Sequence, residues 1–159
     1  MSDLTAIGLV ADTHGLVRDR IAIALAGVDL IVHAGDVGGD AVLRALATIA
    51  PVFAVSGNVD DRANPALPRE RSLPVGALVL HVSHGDELGR PTPSLLLARY
   101  DADVIVFGHT HRAVVVHEGG RVVVNPGAAG PRRFDLRPSV AKLIVHGRTA
   151  DVEIIPLDT

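Results

Sequence analysis

Cysteine and tryptophan are absent from this 159-residue chain, and aromatic residues make up only 3% of it. Without cysteine the chain cannot form disulfides, use a thiolate nucleophile or bind zinc through sulfur, and this composition is compatible with the cytoplasm. The scarcity of aromatic side chains leaves little surface on which nucleic-acid bases could stack. Any metal ion would therefore have to be held by nitrogen and oxygen ligands.

Strong charge of one sign and long apolar runs are also missing. The formal net charge is -3 at pH 7 and the pI is about 6.2, so the chain lacks the basic surface that binds nucleic acid or anionic lipid. No apolar run approaches the roughly 20 residues of a membrane span, and residues 1–10 lack the basic start of a signal peptide. We expect a soluble cytoplasmic protein with a small-molecule substrate, no membrane partner and no stable nucleic-acid binding.

Apolar residues are plentiful, at 48% of the chain, and fall into short runs. Five runs that end in polar turns predict buried strands over residues 6–10, 30–32, 52–55, 77–82 and 104–107. Helical spacing between them predicts helices over 17–26, 40–49 and 94–100. Alternation of strands and helices indicates an α/β fold, and the length fits a single domain over residues 1–159.

The remaining segments have other patterns. From residue 112 onward, two pairs of apolar runs around glycine-containing turns predict β-hairpins, 113–117 with 121–125 and 140–146 with 150–156. Residues 61–74 contain three prolines and several charges, which predicts an exposed connection.

Polar residues able to bind metals follow the five predicted strands. They are Asp12 and His14, Asp36, Asn58, His84, and His109 and His111. The carboxyl ends of strands in an open α/β sheet meet at one edge, so these turns should converge. Imidazole, carboxylate and carboxamide groups suit divalent manganese, iron, nickel or zinc. Capping of turns alone would not explain why four of the eight histidines lie there.

The ordered pattern of Asp-x-His, Gly-Asp, Gly-Asn, a single His and Gly-His-x-His resembles the calcineurin-like metallophosphoesterase superfamily. It is most similar to the short branch of single-domain phosphodiesterases that also resembles the retromer subunit Vps29. This resemblance implies a four-layer αββα sandwich without a cap domain. It also implies two metal ions, one held by Asp12, His14 and His111, the other by Asn58, His84 and His109, with Asp36 bridging them.

The resemblance further implies an activity. A hydroxide that bridges two metal ions, with manganese first and nickel, iron, zinc or magnesium as alternatives, would attack phosphorus in line. The catalytic residues would be Asp36, Asn58 and His84. The implied substrate is a small phosphodiester or a nucleotide-like molecule, and a homodimer is compatible with a fold of this size.

One residue departs from the superfamily pattern, because Val59 stands where a histidine usually follows Gly-Asn. That histidine is thought to protonate the leaving oxygen, so its loss predicts a preference for good leaving groups. Two alternatives to an enzyme stay open: a non-catalytic protein-interaction scaffold of the Vps29 type, and a metal-dependent module that binds phosphorylated ligands. The seven filled ligand positions favour the enzyme.

Other polar residues near these turns receive structural interpretations. His33 is expected to be a hydrogen-bonded structural histidine, and Thr13 is expected to bond to the backbone of its turn. Asp60 could either orient a ligand or simply form a turn.

Overall fold

The computed structural model describes residues 4–133 and 135–158 and arranges them in two five-stranded sheets. The first sheet contains β1 (Leu4–Val10), β2 (Leu30–His33), β3 (Val52–Ala54), β9 (Ser139–His146) and β10 (Thr149–Pro156). The second contains β4 (Glu70–Val75), β5 (Leu78–Ser83), β6 (Val104–Val106), β7 (Val114–Glu118) and β8 (Arg121–Asn125). The helices are α1 (Arg20–Ala24), α2 (Asp40–Ala47) and α3 (Pro93–Arg99), with a 3-10 turn at Asp86–Leu88.

Both sheets are mixed, and their parallel strands lie next to one another. The strand orders are β10-β9-β1-β2-β3 and β4-β5-β6-β8-β7. β1, β2 and β3 are parallel, with Val10 opposite His33 and His33 opposite Ala54. β5, β6 and β8 are also parallel, with Val82 opposite Val106. In each sheet the parallel strands therefore end at a common level, which aligns the turns that follow them.

Three apolar cores hold four layers together. The central core lies between the two sheets and includes Leu9, Leu80 and Leu143. Helices α1 and α2 cover the outer face of the first sheet through residues such as Ile21 and Leu46. Helix α3 covers the second sheet through residues that include Leu96, Ile105 and Phe107. This is the predicted αββα sandwich, and the described residues contain no cap domain.

Most elements end within two residues of their predicted limits, but two predictions need correction. Residues 61–74 do not form a connection throughout, because β4 begins at Glu70 and pairs with β5 along its length. Pro74 argued against a strand in the sequence, because proline cannot donate a hydrogen bond to a sheet. It is tolerated in β4 because this strand lies at the edge of its sheet. Helix α1 starts at Arg20 rather than at residue 17. No helix in the described part of the chain is long and apolar enough to cross a membrane.

Candidate metal centre

The five turns predicted to bind metal meet at the ends of the parallel strands. Within the first sheet, the Asp12 N–H donates to the Gly35 carbonyl at 3.0 Å and the His14 N–H donates to the Asp36 carbonyl at 3.0 Å. The two sheets are joined at the same place, because the His109 N–H donates to Asp12 Oδ2 at 3.1 Å. Backbone bonds therefore fix the turns within the first sheet, and the Asp12 carboxylate ties them to the turn after β6 of the second sheet.

Asp12 and Asp36 lie at the centre of a group of histidine nitrogens. Asp12 Oδ1 is 3.5 Å from His111 Nε2 and 3.8 Å from His14 Nε2. Asp36 Oδ2 is 3.3 Å from His84 Nε2 and 3.5 Å from His14 Nε2. Atoms that share one metal ion at about 2.1 Å are separated by roughly 3.0 to 3.4 Å, so this spacing is close to that of a shared cation.

Asn58 and His109 complete the cluster on its exposed side. His109 Nδ1 lies 3.2 Å from Asn58 Oδ1 and 3.3 Å from His84 Nε2. The same end of the Asn58 carboxamide is 3.1 Å from His84 Nε2 and 3.3 Å from both oxygens of Asp36. The carboxamide can place either its oxygen or its nitrogen at this position: the oxygen suits a bound cation, and the nitrogen suits the surrounding acceptor atoms when no cation is bound.

Three buried polar atoms on residues of the cluster make no hydrogen bond within the described part of the chain. These atoms are Asp12 Oδ1, His14 Nε2 and His111 Nδ1, and buried polar atoms are normally paired because leaving them unpaired costs free energy. Asp12 Oδ1 and His14 Nε2 lie in the same group of carboxylate and imidazole atoms. The set of donors and these unpaired atoms together fit a divalent metal ion, so all seven predicted ligands lie in one cluster that suits the predicted chemistry.

Opposite charges within the cluster shift the pKa values of its members. Burial alone would raise the pKa of Asp12 and Asp36, but the nearby imidazoles of His111 and His14 beside Asp12, and of His84 beside Asp36, lower both values below normal. Burial would lower the pKa of His84, but Asp36 and Asp12 raise it to about 9. The two carboxylates are thus ionised at neutral pH and attract a positive charge.

The backbone is strained at most of the predicted ligands. Among the described residues, five that are not glycine have positive φ angles, and all five are predicted ligands: Asp12 at 54°, His14 at 47°, Asp36 at 56°, His109 at 73° and His111 at 64°. Left-handed conformations cost free energy for residues with a Cβ atom and concentrate at functional sites. The strained backbone therefore lowers the stability of the fold, and it directs these side chains toward one point.

Residues behind the ligands hold the turns in place. The Asp60 carboxylate accepts hydrogen bonds from the N–H groups of Gly57, Val37 and Gly38, at 2.9, 3.0 and 3.1 Å. Asp60 thus joins the turns after β2 and β3, and it orients the ligands through the backbone rather than through an imidazole.

His33 has the structural role predicted for it. Its Nδ1 accepts from the Gly35 N–H at 3.1 Å, and its Nε2 lies 3.0 Å from the Thr13 hydroxyl, which donates to the Val37 carbonyl at 2.7 Å. This network requires a neutral imidazole with its proton on Nε2. Burial supports that form, because it lowers the pKa of His33 to about 4.

Comparison with known proteins identifies the family. The model of the calcineurin-like phosphoesterase superfamily domain matches residues 6–148. The chain belongs to the calcineurin-like phosphoesterase superfamily. A similar superfamily member is a probable metallophosphoesterase of Methanothermobacter thermautotrophicus, which is 34% identical over 160 residues that cover 94% of this chain and 91% of that protein.

Solved structures share the fold of this calcineurin-like phosphoesterase superfamily member. Vacuolar protein sorting 29 from Cryptosporidium parvum has a TM-score of 0.81 and 22% identity, covering 95% of this chain and 96% of that one. A novel archaeal phosphodiesterase has a TM-score of 0.73 and 19% identity, covering 95% and 100%. The resemblance inferred from the sequence motifs, to this superfamily and to Vps29, is confirmed.

The structure of this phosphoesterase superfamily member also contains site features that the sequence did not predict. A cavity of about 680 Å³ lies beside His109, with Arg90 and Arg112 in its lining. Gly57 lies against Asp36 so closely that a Cβ atom at position 57 would overlap the carboxylate. Arg112 directly follows the ligand motif, which was a usable signal, whereas Arg90 comes from a segment with no metal-binding pattern.

Proposed function

We propose that the chain is a metal-dependent phosphodiesterase with a binuclear centre. Asp12, His14 and His111 would hold one ion, Asn58, His84 and His109 the other, and Asp36 would bridge them. The observation that carries this proposal is the meeting of all seven side chains in one cluster, in which Asp12 Oδ1 and His14 Nε2 are buried and unpaired. Superfamily membership and the relatives named as probable metallophosphoesterases support phosphoester hydrolysis.

Two divalent ions bound here would activate water as the nucleophile and neutralise negative charge on the phosphoryl group. The protein's part is to fix the ligand atoms. The Val59 N–H donates to Asp36 Oδ1 at 3.1 Å, which leaves Oδ2 facing His14 and His84. His84 Nδ1 lies 2.8 Å from the Ala34 carbonyl. This bond keeps the proton on Nδ1 and leaves the Nε2 lone pair for metal.

Substrate would approach from the side of Asn58 and His109. Asp12 and His84 are buried, whereas His109 is partly exposed and Asn58 is exposed. Val59, in the position where the superfamily usually has a histidine, is 55% exposed on this side. Its side chain has no proton to give to a leaving oxygen, and this supports the preference for good leaving groups.

The Val59 hypothesis can be tested with a series of aryl phosphodiesters of graded leaving-group pKa. We expect rates to fall steeply as that pKa rises, because the leaving oxygen departs without a proton. Val59→His should flatten this dependence by restoring a general acid, an effect of about 10² or more on the poorest leaving groups. Val59→Leu is the control for side-chain size, and a shallow dependence in the unaltered protein would contradict the hypothesis.

The principal experiment measures hydrolysis of bis(p-nitrophenyl) phosphate by metal-stripped protein titrated with manganese, nickel, magnesium and zinc. Metal content is counted in the same samples. We expect turnover that requires metal and about two bound ions per chain. Asp36→Asn should abolish turnover and reduce the metal count, because the bridging carboxylate loses its charge.

A non-catalytic scaffold is the second candidate function. The similarity to Vps29 in fold and the valine at position 59 support it. Metal binding without turnover of any phosphodiester would favour a phospho-ligand binding module, and neither metal binding nor turnover would favour the scaffold. Manganese as the native ion, a cytoplasmic location and a homodimer are further parts of the proposal. Metal analysis of purified protein, cell fractionation and light scattering test them in turn.

A further inference from the structure

The cavity of about 680 Å³ beside the metal centre is contiguous with the proposed site through His109, which belongs to its lining. His109 Nδ1 is in turn 3.3 Å from His84 Nε2 within the ligand cluster. A molecule that fills the cavity would therefore touch the edge of the metal centre. Ligand-binding cavities in proteins commonly measure about 300 to 1,000 Å³, so this one is large enough for an organic group as well as a phosphate.

The walls of the cavity are mostly apolar. Pro91, Pro93, Phe107 and Val114 supply carbon surface, and Thr92 and Thr110 also line the cavity. Thr110 Oγ1 accepts a hydrogen bond from Asn125 Nδ2 at 3.0 Å, and the Thr92 side chain accepts from the Leu95 N–H at 3.2 Å. These two hydroxyls are therefore held in place, and the wall is suited to an apolar or planar group.

The segment that forms one wall is held against the ligand-bearing turns. Pro91 is buried and packs so closely on Gly85 that a Cβ atom there would lie 2.9 Å from Pro91 Cγ. The Gly85 N–H donates to Glu87 Oε1 at 2.9 Å, and Glu87 Oε2 accepts from the Tyr100 hydroxyl at 2.6 Å. These contacts hold the wall in place without any substrate, in the segment of the chain that follows His84.

Two guanidinium groups line the same cavity and are available to an anion. Arg90 and Arg112 are exposed. Within residues 4–133 and 135–158, neither side chain has a carboxylate partner, whereas Arg62, Arg132, Arg137 and Arg148 all do. Arg112 also lines a smaller adjoining cavity of about 230 Å³ together with His111. Its position beside both cavities suits the binding of a phosphate oxygen or of a second anionic group.

We infer that this cavity is the binding site for one ester arm of the substrate and that it selects a phosphodiester whose arm is of nucleoside size. Apolar walls would hold the base and sugar, and Arg112 would bind an oxygen of the phosphate beside the metal ligands His109 and His111. This inference rests on the proposed phosphodiesterase function and adds the class of substrate to it.

The kinetic test compares methyl p-nitrophenyl phosphate with thymidine 5′-(p-nitrophenyl phosphate), which share a leaving group and differ in the other arm. We expect KM for the thymidine ester to be at least about tenfold lower at similar kcat, a difference that corresponds to binding alone. Arg112→Gln and Val114→Trp, which fills the cavity, should remove most of this advantage. Arg44→Gln is the matched control, since Arg44 is an exposed arginine on α2, outside the cavity.

The binding test separates failure of this inference from failure of the proposed function. Thymidine 5′-phosphate is titrated into metal-free protein, and NMR shifts are followed at the amides of Gly89, Arg112 and Val114. Shifts confined to these amides and weakened by Arg112→Gln support the cavity as the site even if no phosphodiester is hydrolysed. Equal KM values for the two esters, or no shift at these amides, would overturn the inference while leaving metal-dependent hydrolysis intact.

Discussion

Single residues in the centre are held in conformations that their side chains do not favour. His14 and four other predicted ligands have left-handed backbone angles, and Gly57 has no room for a Cβ atom beside Asp36. The turn that contains His14 also packs against Gly38, where a Cβ atom would collide with the backbone of His14 and Gly15. At these positions the backbone conformation reduces the stability of the fold and fixes the direction of a ligand side chain.

The strain at His14 predicts that glycine at this position stabilises the protein relative to alanine, the opposite of its usual effect. In metal-free protein we expect His14→Gly to be more stable than His14→Ala by about 1 kcal/mol, because only glycine adopts a φ of 47° without penalty. Urea denaturation of the two variants measures this difference. At Arg44, an exposed residue in the interior of helix α2, the order should be reversed, with glycine the less stable by about 1 kcal/mol. The same order at both positions would show that His14 is not strained.

Contact between Gly57 and Asp36 predicts a separate effect of Gly57→Ala. A methyl group at this position must displace the Asp36 carboxylate, so we expect metal binding to weaken and metal-dependent hydrolysis to fall by roughly 10² or more, as for a site misplaced by about 1 Å. Gly27→Ala is the control. Alanine would be strained there by the φ of 83°, but no atom lies within 4 Å of the added carbon. Similar metal affinity in both variants would contradict the steric explanation.

At the scale of elements, a side-chain hydrogen bond joins the end of α3 to the 3-10 turn that follows β5. The Tyr100 hydroxyl, just after α3, donates to Glu87 in the 3-10 turn at 2.6 Å. Burial raises the pKa of Tyr100 to about 12, and the bond to Glu87 adds to this shift. The contact fixes α3 relative to the turn that follows His84.

Tyr100 predicts a specific loss of stability in alkali. Because its pKa is raised in the folded state, its contribution is complete below pH 10 and disappears as the pH rises toward 12. By pH 11 the unaltered protein should lose about 1 kcal/mol more than Tyr100→Phe, relative to each protein at pH 9. Urea denaturation at each pH measures this. Tyr100 is the only tyrosine, so tyrosinate absorbance gives its pKa directly, and a value near 10 would refute the explanation.

Elements also show where prediction from the sequence succeeds and where it ends. Continuous apolar runs such as β6 could be predicted because they are buried on both faces. β4 could not, because it is an edge strand that alternates exposed and partly buried residues and contains Pro74. The convergence of the seven candidate ligands could be predicted from residue types and their order. The cavity could not, because it is formed by two segments, around Arg90 and Arg112, whose proximity is set only by the folded sheets.

At the scale of the whole molecule, the candidate centre joins the two sheets. Its ligands follow β1, β2 and β3 of one sheet and β5 and β6 of the other. His84, from the second sheet, donates to the Ala34 carbonyl of the first at 2.8 Å. An ion bound between these turns would therefore resist separation of the layers, and it would bind the folded state only.

Metal binding should accordingly raise thermal stability. Manganese at a hundredfold excess over its Kd should add about 2.7 kcal/mol for each ion bound, because it binds the folded chain and not the unfolded one. Calorimetric melting of metal-stripped protein, with and without manganese, measures the gain. Asp36→Asn should melt at a temperature that manganese changes little. An equal gain in both proteins would mean that the stabilising ion binds elsewhere.

The place of β1 in the middle of its sheet affects the order in which the protein can fold during translation. β1 pairs on one side with β2 and on the other with β9, from Leu4 opposite His146 to Leu9 opposite Ala141. The Ala129 and Gly130 N–H groups donate to the carbonyls of Ala11 and Asp12 as well. During translation β1 therefore stays unpaired along one edge until residues 139–146 have been made. The last candidate ligand, His111, precedes β9, so we expect the turn after β1, which carries Asp12, to become rigid only after all seven ligands have been synthesised.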